Sequence, residues 1–221
     1  MELSEVMRTT AAVREFTDDP LPDEVLHRIL DDARFAPSGG NRQGTRVVVV
    51  RDGTTRERLA ELNEPAVRRY VAQSKAGESP WNPVHPPGPT PEEIAATRVP
   101  ASFTEPVLRA PVVLVFVVDL AVVAAMDQDL SRVGIVGGAS VYPLVWNVLL
   151  AARAAGYGGT ITTMATAMEP EVKVLLGVPE TYAVAAVVPL GRPVKQLTRL
   201  KRLPVEELAV RERFDGEPFG R

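Results

Sequence analysis

Three short segments of this 221-residue chain carry side chains that could hold a ligand and act on it. The first sets Arg8 and Arg14 around Thr9 and Thr10. Two guanidiniums a few residues apart can clamp a phosphate through charge-assisted hydrogen bonds. Two solvated arginines on a helix are an equally good reading of the same letters. The second segment is Ala36-Pro37-Ser38-Gly39-Gly40-Asn41-Arg42-Gln43. Proline fixes its backbone, and the glycines let that backbone approach a ligand closely. Ser38, Asn41 and Gln43 add uncharged donors and acceptors, which suit the edge of a flat heteroaromatic ring. A plain helix-ending loop has the same composition, since Gly and Asn are common after helices. The third segment, Arg199-Leu200-Lys201-Arg202-Leu203-Pro204, is cationic. It could close on the same anion, although in isolation it reads better as a solvated basic tail.

What is missing narrows the chemistry further. Cysteine is absent, which excludes disulfides, thiolate catalysis and Cys-ligated clusters. His27 and His85 are the two histidines. The first sits in a charged helical pattern and the second in a proline-rich stretch, so neither a two-His metal site nor a Ser-His-Asp triad is supported. An enzyme with so few reactive side chains must borrow its reactive group, which points to an organic cofactor. The net charge of −3 offers no electrostatic reason to expect nucleic acid or an anionic membrane as partner. The opening MELSEVMRTTAAVREF has no apolar run of the secretory kind. The longest apolar stretch, residues 110–118, is about half a membrane span. We therefore expect a soluble cytoplasmic protein.

The elements that must position these segments follow from periodicity. Residues 2–12 suit a short helix, broken by Pro20 and Pro22 from a second one over 23–34. In that helix Val25, Leu26, Ile29, Leu30 and Ala33 share a face. Residues 47–50 are a β-branched run and read as a strand. A helix follows over 54–73, with Arg56 among its surface charges. Residues 74–111 hold nine of the twenty prolines, together with Trp81 and His85. A stretch of that length is functional or disordered, and we read it as a lid over a site, with Trp81 and Tyr70 as its aromatic candidates. Residues 111–120 read as a strand buried on both faces. Residues 137–155 read as an apolar helix for a core or a dimer interface. A short helix over 170–176 and a third strand over 181–191 come next, with a fourth strand plausible near the C-terminal end. The tail reads as mostly extended. Alternating helices and strands suggest an α/β or α+β sandwich in one domain. No GxGxxG follows a strand, so a dinucleotide fold of that type is unsupported.

The order of these features resembles the nitroreductase family of FMN-dependent oxidoreductases. The resemblance rests on V-R-E-F, then DDPLPDEVLHRILDDARFAPSGGNRQ, then GYGGT after the long helix, then VVPLGRP leading to a basic R-L-P. It implies an α+β fold, an α/β/α sandwich with a mixed central sheet, assembled as an intertwined homodimer with FMN at the subunit interface. By position, Arg14 would bind the ribityl phosphate with Arg8 as helper, and Arg202 with Arg199 or Lys201 would meet that phosphate from the tail. Pro37, Ser38 and Gly39 would approach the flavin from the partner subunit, and Asn41 and Gln43 would support the ring or ribityl chain. Backbone donors near Ile161 and Thr162 would face the N5/O4 edge. The implied reaction passes hydride from NAD(P)H through the flavin to an electron-poor small molecule, a nitroaromatic, quinone or enone, in ping-pong order. No metal, nucleic acid or membrane is implied. Departures exist: where the family pattern is Arg-Arg-Ser-x-Arg, this chain has Thr10-Ala11-Ala12-Val13-Arg14, and Gly44-Thr45 replaces Pro-Trp. A flavin-storing or deazaflavin-using protein of the same fold, without NAD(P)H turnover, and a cofactor-free binding protein are the alternatives.

Overall fold

A strand with no polar face has to lie inside a sheet covered on both sides, and the run from Val112 to Val118 is buried throughout. The computed structural model describes residues 1–220. Its strands β1 (Thr45–Val50), β2 (Val112–Asp119), β3 (Gly158–Gly159) and β4 (Tyr182–Gly191) form one sheet in the order β1-β2-β4-β3. The helices are α1 (Leu3–Thr9), α2 (Asp23–Ala33), α3 (Gly53–Lys75), α4 (Pro91–Ala96), α5 (Glu105–Arg109), α6 (Tyr142–Ala154), α7 (Glu169–Leu176) and α8 (Val205–Leu208).

Alternation along β2 builds two cores. Leu114, Phe116 and Val118 face Leu26 and Ile29 of α2 and Val145, Val148 and Leu149 of α6. Val113, Val115 and Val117 face Leu59 and Leu62 of α3, Val107 of α5 and Val172 of α7. The result is the α/β/α sandwich of an α+β fold. All pairings between the four strands are antiparallel. The parallel component of the expected mixed sheet is reduced, among the described residues, to one bridge between Ala12 and Gly159.

Several boundaries differ from expectation for identifiable reasons. The first helix stops at Thr9, because Thr9 and Thr10 donate their hydroxyls to the Glu5 and Val6 carbonyls and the chain then turns extended. The long apolar helix is split: residues 136–140 form a 3-10 turn, and α6 begins at Tyr142 with Pro143 in its first turn, where a ring without an N–H is tolerated. The fourth strand is Gly158–Gly159, earlier in the chain than expected; two glycines have no side chains to show alternation. The tail instead holds α8 and a Val210–Pro218 bridge. Arg56 is not a surface charge. Its guanidinium donates to the Leu108 and Ala110 carbonyls and ties α3 to the end of α5.

The proline-rich segment carries two short helices of its own, α4 and α5. Its entry is fastened to α3 by Gln73, which is fully buried. The Gln73 amide donates to Glu78 at 2.9 Å and accepts from the Trp81 backbone N–H at 3.1 Å. Glu78 in turn accepts from Gly88 N–H at 2.7 Å. No helix among the described residues is long and apolar enough to cross a membrane.

Candidate active site

Arg14 is set in place by backbone pairing. Val13 donates to the Gly159 carbonyl at 2.9 Å, and the Val13 side chain is buried against Gly158. A Cβ on Gly158 would lie 2.7 Å from that side chain, so only glycine lets the two segments lie this close. Alternation then turns Arg14 to the other side, where it is exposed and, among the described residues, has no ion pair. There it lines a cavity of about 240 Å³ with Tyr70, Phe103, Ile161, Thr162 and Met164. Thr162 is locked to β4 by two hydrogen bonds with Val187, at 2.9 and 2.8 Å. That pairing holds the turn open on either side. Among the described residues, neither the Ile161 nor the Thr163 N–H has a partner within the protomer.

A guanidinium and two unpaired backbone donors on one cavity make a set suited to an anionic, phosphorylated ring. The cavity lining contains no carboxylate, imidazole or lysine. The hydroxyls of Tyr70, Ser102, Thr160, Thr162 and Thr163 are the proton-carrying groups left beside Arg14, and the residues present fit a bound flavin that carries its own chemistry.

Pro37, Ser38 and Gln43 line a different cavity of about 140 Å³, shared with Arg46, Ser140 and Leu144. The loop is tightly wound, with Gly40, Asn41 and Gln43 all at positive φ. Ser38 Oγ accepts from Gln43 N–H at 3.0 Å, and Gly39 N–H donates to Ser140 Oγ at 3.1 Å. Gly39 and Asn41 thus shape the loop without lining the cavity. Arg8 lies in the last turn of α1, outside both cavities. Arg199, Lys201 and Arg202 are exposed on the tail and line neither. One protomer therefore joins Arg14 with Ile161 and Thr162, joins Pro37 and Ser38 with Gln43, and leaves the two groups in separate cavities. Phe103, Ser140 and Met164 were not singled out in the sequence; small or apolar side chains in irregular segments give no signal there.

The segment behind the Ser38 loop has its own anchor. Arg42 donates to the Val122 carbonyl, and a Cβ on Gly39 would lie 3.3 Å from Ser140 Oγ and 3.7 Å from Ala124 Cβ. Residues 120–136 are held by Asp127, which is 4% exposed and accepts from Ile135 N–H at 2.8 Å and from Arg132 at 2.7 Å. The Ile135 amide first, then the Arg132 guanidinium, lower the carboxyl pKa to about 2. A depressed carboxylate pKa stabilises the fold above the ordinary carboxylate range and loses that effect as pH falls through the folded value. Asp127→Asn should therefore lower Tm at neutral pH, and the gap to wild type should close as pH is brought from about 4 towards about 2. A gap of constant size across that range, followed by calorimetry, would show the carboxylate charge is not what holds the segment.

The α/β/α sandwich and this arginine-bearing cavity fit a protein that holds a phosphorylated, flat cofactor. A family model described as Nitroreductase family matches residues 7–192, and the chain belongs to the nitroreductase family. It is 30% identical over 208 residues to a protein of Thermus thermophilus named NADH dehydrogenase, covering 90% of each chain. Its fold is similar to that of the NADPH:FMN oxidoreductase of Vibrio harveyi solved with NAD+, at a TM-score of 0.67 and 23% identity over 96% of this chain and 77% of that one. It is likewise similar to an iodotyrosine deiodinase bound to FMN and 3-iodo-L-tyrosine, at a TM-score of 0.67 and 21% identity over 96% and 99%.

Proposed function

We propose that the chain binds FMN and works as a homodimer that uses NAD(P)H to reduce an electron-poor small molecule such as a nitroaromatic, quinone or enone. The observation that carries this reading is Arg14 beside the unpaired N–H groups of Ile161 and Thr163, in a cavity without an acid or a base. Bound there, FMN supplies hydride transfer. The chain's own residues bind and orient it. Arg14 would hold the phosphate, and the two N–H groups would donate hydrogen bonds to the ring edge, which is the usual role of preorganised backbone donors.

The second half of the site comes from a second copy in this reading. Pro37, Ser38 and Gly39 reach the ring from the partner, Asn41 and Gln43 hold their loop, and Arg199, Lys201 and Arg202 join Arg14 and Arg8 at the phosphate. Supporting the dimer, Phe35, Ile135 and Trp146 are exposed at 74%, 69% and 40%, and the tail exposes Leu203, Leu208 and Phe214. Residues 74–110 act as the lid, contributing Ser102, Phe103 and Pro106 to the Arg14 cavity. With one cleft for both, NAD(P)H and the acceptor take turns, which gives ping-pong kinetics.

The test is an absorption spectrum of purified protein followed by anaerobic NADH or NADPH. A yellow protein that bleaches with either nucleotide, and recolours with a quinone, is the expected result. Colour without bleaching by either nucleotide points to flavin storage or a deazaflavin donor instead. A colourless protein whose Tm does not rise with added FMN removes the cofactor altogether.

A further inference from the structure

We propose that the cleft beneath Trp81 is a second subsite, one that takes an uncharged aromatic ring of the acceptor while the reducible group of the same molecule lies in the Arg14 cavity. The inference rests on the reductase reading above and names the acceptor's shape. The cleft has a volume of about 500 Å³ and shares Tyr70, Thr163 and Met164 with the Arg14 cavity. The two spaces adjoin, so a molecule longer than one ring can span them.

Trp81 is held in a way that packing alone does not require. Its φ is +57°, in the left-handed region that bulky residues avoid. Three contacts keep it there. Its backbone N–H donates to buried Gln73 at 3.1 Å, its indole N–H donates to the Ala66 carbonyl at 3.2 Å, and the Arg69 guanidinium lies 3.9 Å from the ring centroid. Strain of this kind persists only where the surroundings over-determine it, and it gathers at ligand clamps. The indole nevertheless remains 40% exposed and walls the cleft. A large aromatic face, fixed before any ligand arrives, binds a flat ring with little loss of conformational entropy.

The chemistry of the lining selects the ring. No charged side chain lines the cleft. Thr166 is spent internally, donating its hydroxyl to the Thr163 carbonyl at 2.6 Å. The Arg69 guanidinium, 3.9 Å from the Trp81 ring centroid, is not among the lining residues, so a carboxylate in the cleft would lose hydration, whereas an uncharged aryl group loses little.

The experiment uses the FMN-loaded protein with nitrobenzene, 4-nitrobiphenyl and 4′-nitrobiphenyl-4-carboxylate as acceptors. The wild type should favour 4-nitrobiphenyl over nitrobenzene in kcat/KM by about tenfold or more, and the distal carboxylate should erase that advantage. Trp81→Ala should bring the ratio close to one, and Trp81→Phe should keep most of it. Ala167→Phe, at an exposed position in the lining, should also abolish the preference by filling the cleft without removing a packed side chain. Binding gives an independent readout: 4-phenylphenol, which cannot be reduced, should raise the Tm of wild type but not of Trp81→Ala or Ala167→Phe. Nitrobenzene turnover with no biphenyl preference, or a preference that survives both Trp81→Ala and Ala167→Phe, overturns the subsite and leaves the reductase reading standing. Absence of turnover with these acceptors, and with a quinone and an enone, under both nucleotides overturns the reductase reading and the subsite together.

Discussion

Arg14→Ala will lower the flavin content of the purified protein below that of wild type, while Arg58→Ala will retain it as wild type does. Arg14 is the cation that the fold places on the cavity, through the Val13–Gly159 hydrogen bond and the Ala12–Gly159 bridge. Removing one charge-assisted contact to a phosphate costs about 1.5–3 kcal/mol, which is about a 10- to 100-fold weaker Kd. Because Arg14 is exposed in a single protomer, solvent screening places the loss towards the lower end of that range, unless the partner subunit covers it. Arg202→Ala should weaken retention less, since the tail cations line no cavity in one protomer. Arg58 is the proper control because its partner is Glu61 on the same exposed helical face. Arg56 would be a poor one, as its loss severs α3 from the end of α5. The measurement is the flavin-to-protein absorbance ratio after gel filtration. Equal ratios for Arg14→Ala and Arg58→Ala would remove the phosphate assignment.

Gly159→Ala is expected to damage both stability and flavin retention. A Cβ at this position would sit 2.5 Å from the Pro189 carbonyl oxygen and 3.1 and 3.3 Å from Leu190 and Leu149. The nearest of these is backbone of a central strand and cannot swing aside. Overpacking of this kind costs about 3 kcal/mol, and for a domain of this size that lowers Tm by about 6–12 °C. The same displacement moves the partner of Val13 and with it Arg14, so flavin should be lost at temperatures where the protein is still folded. Calorimetry and the absorbance ratio read the two effects separately. A Tm within about 2 °C of wild type would show that β3 shifts freely and does not set the geometry of the site.

The central strand was readable from its letters, because seven apolar residues with no polar alternation admit only a strand covered on both faces. The helix over 23–34 was readable for a similar reason, its apolar residues recurring on one face. β3 was not, since Gly158 and Gly159 have no side chains from which to infer a face, and they form a strand only because β4 and Val13 lie on either side. The N-terminal helix was overestimated. Its propensity continues past Thr9, but the pairing with Gly159, made across most of the chain's length, outweighs local preference. Within the candidate site, Arg14 was singled out by residue type, and Ile161 and Thr162 through the family resemblance; the three share a cavity. Phe103 and Met164 were invisible, because nothing local distinguishes a cavity-lining apolar residue from one in the core.

Composition alone restricted the chemistry: without cysteine, and with two histidines in unsuitable places, thiolate catalysis and histidine-based triads lost support and an organic cofactor became the expectation. Hydrophobic periodicity determined the helices and the buried strands, because each depends on neighbours a few residues away. Proximity between distant segments was decided by the tertiary structure. Whether Arg14 meets the Ile161 turn, and whether Trp81 walls an adjoining cleft, depends on hydrogen bonds such as Val13 to Gly159 and Trp81 to Gln73. Those bonds join segments that the packing of helices on the two apolar faces of β2 brings together.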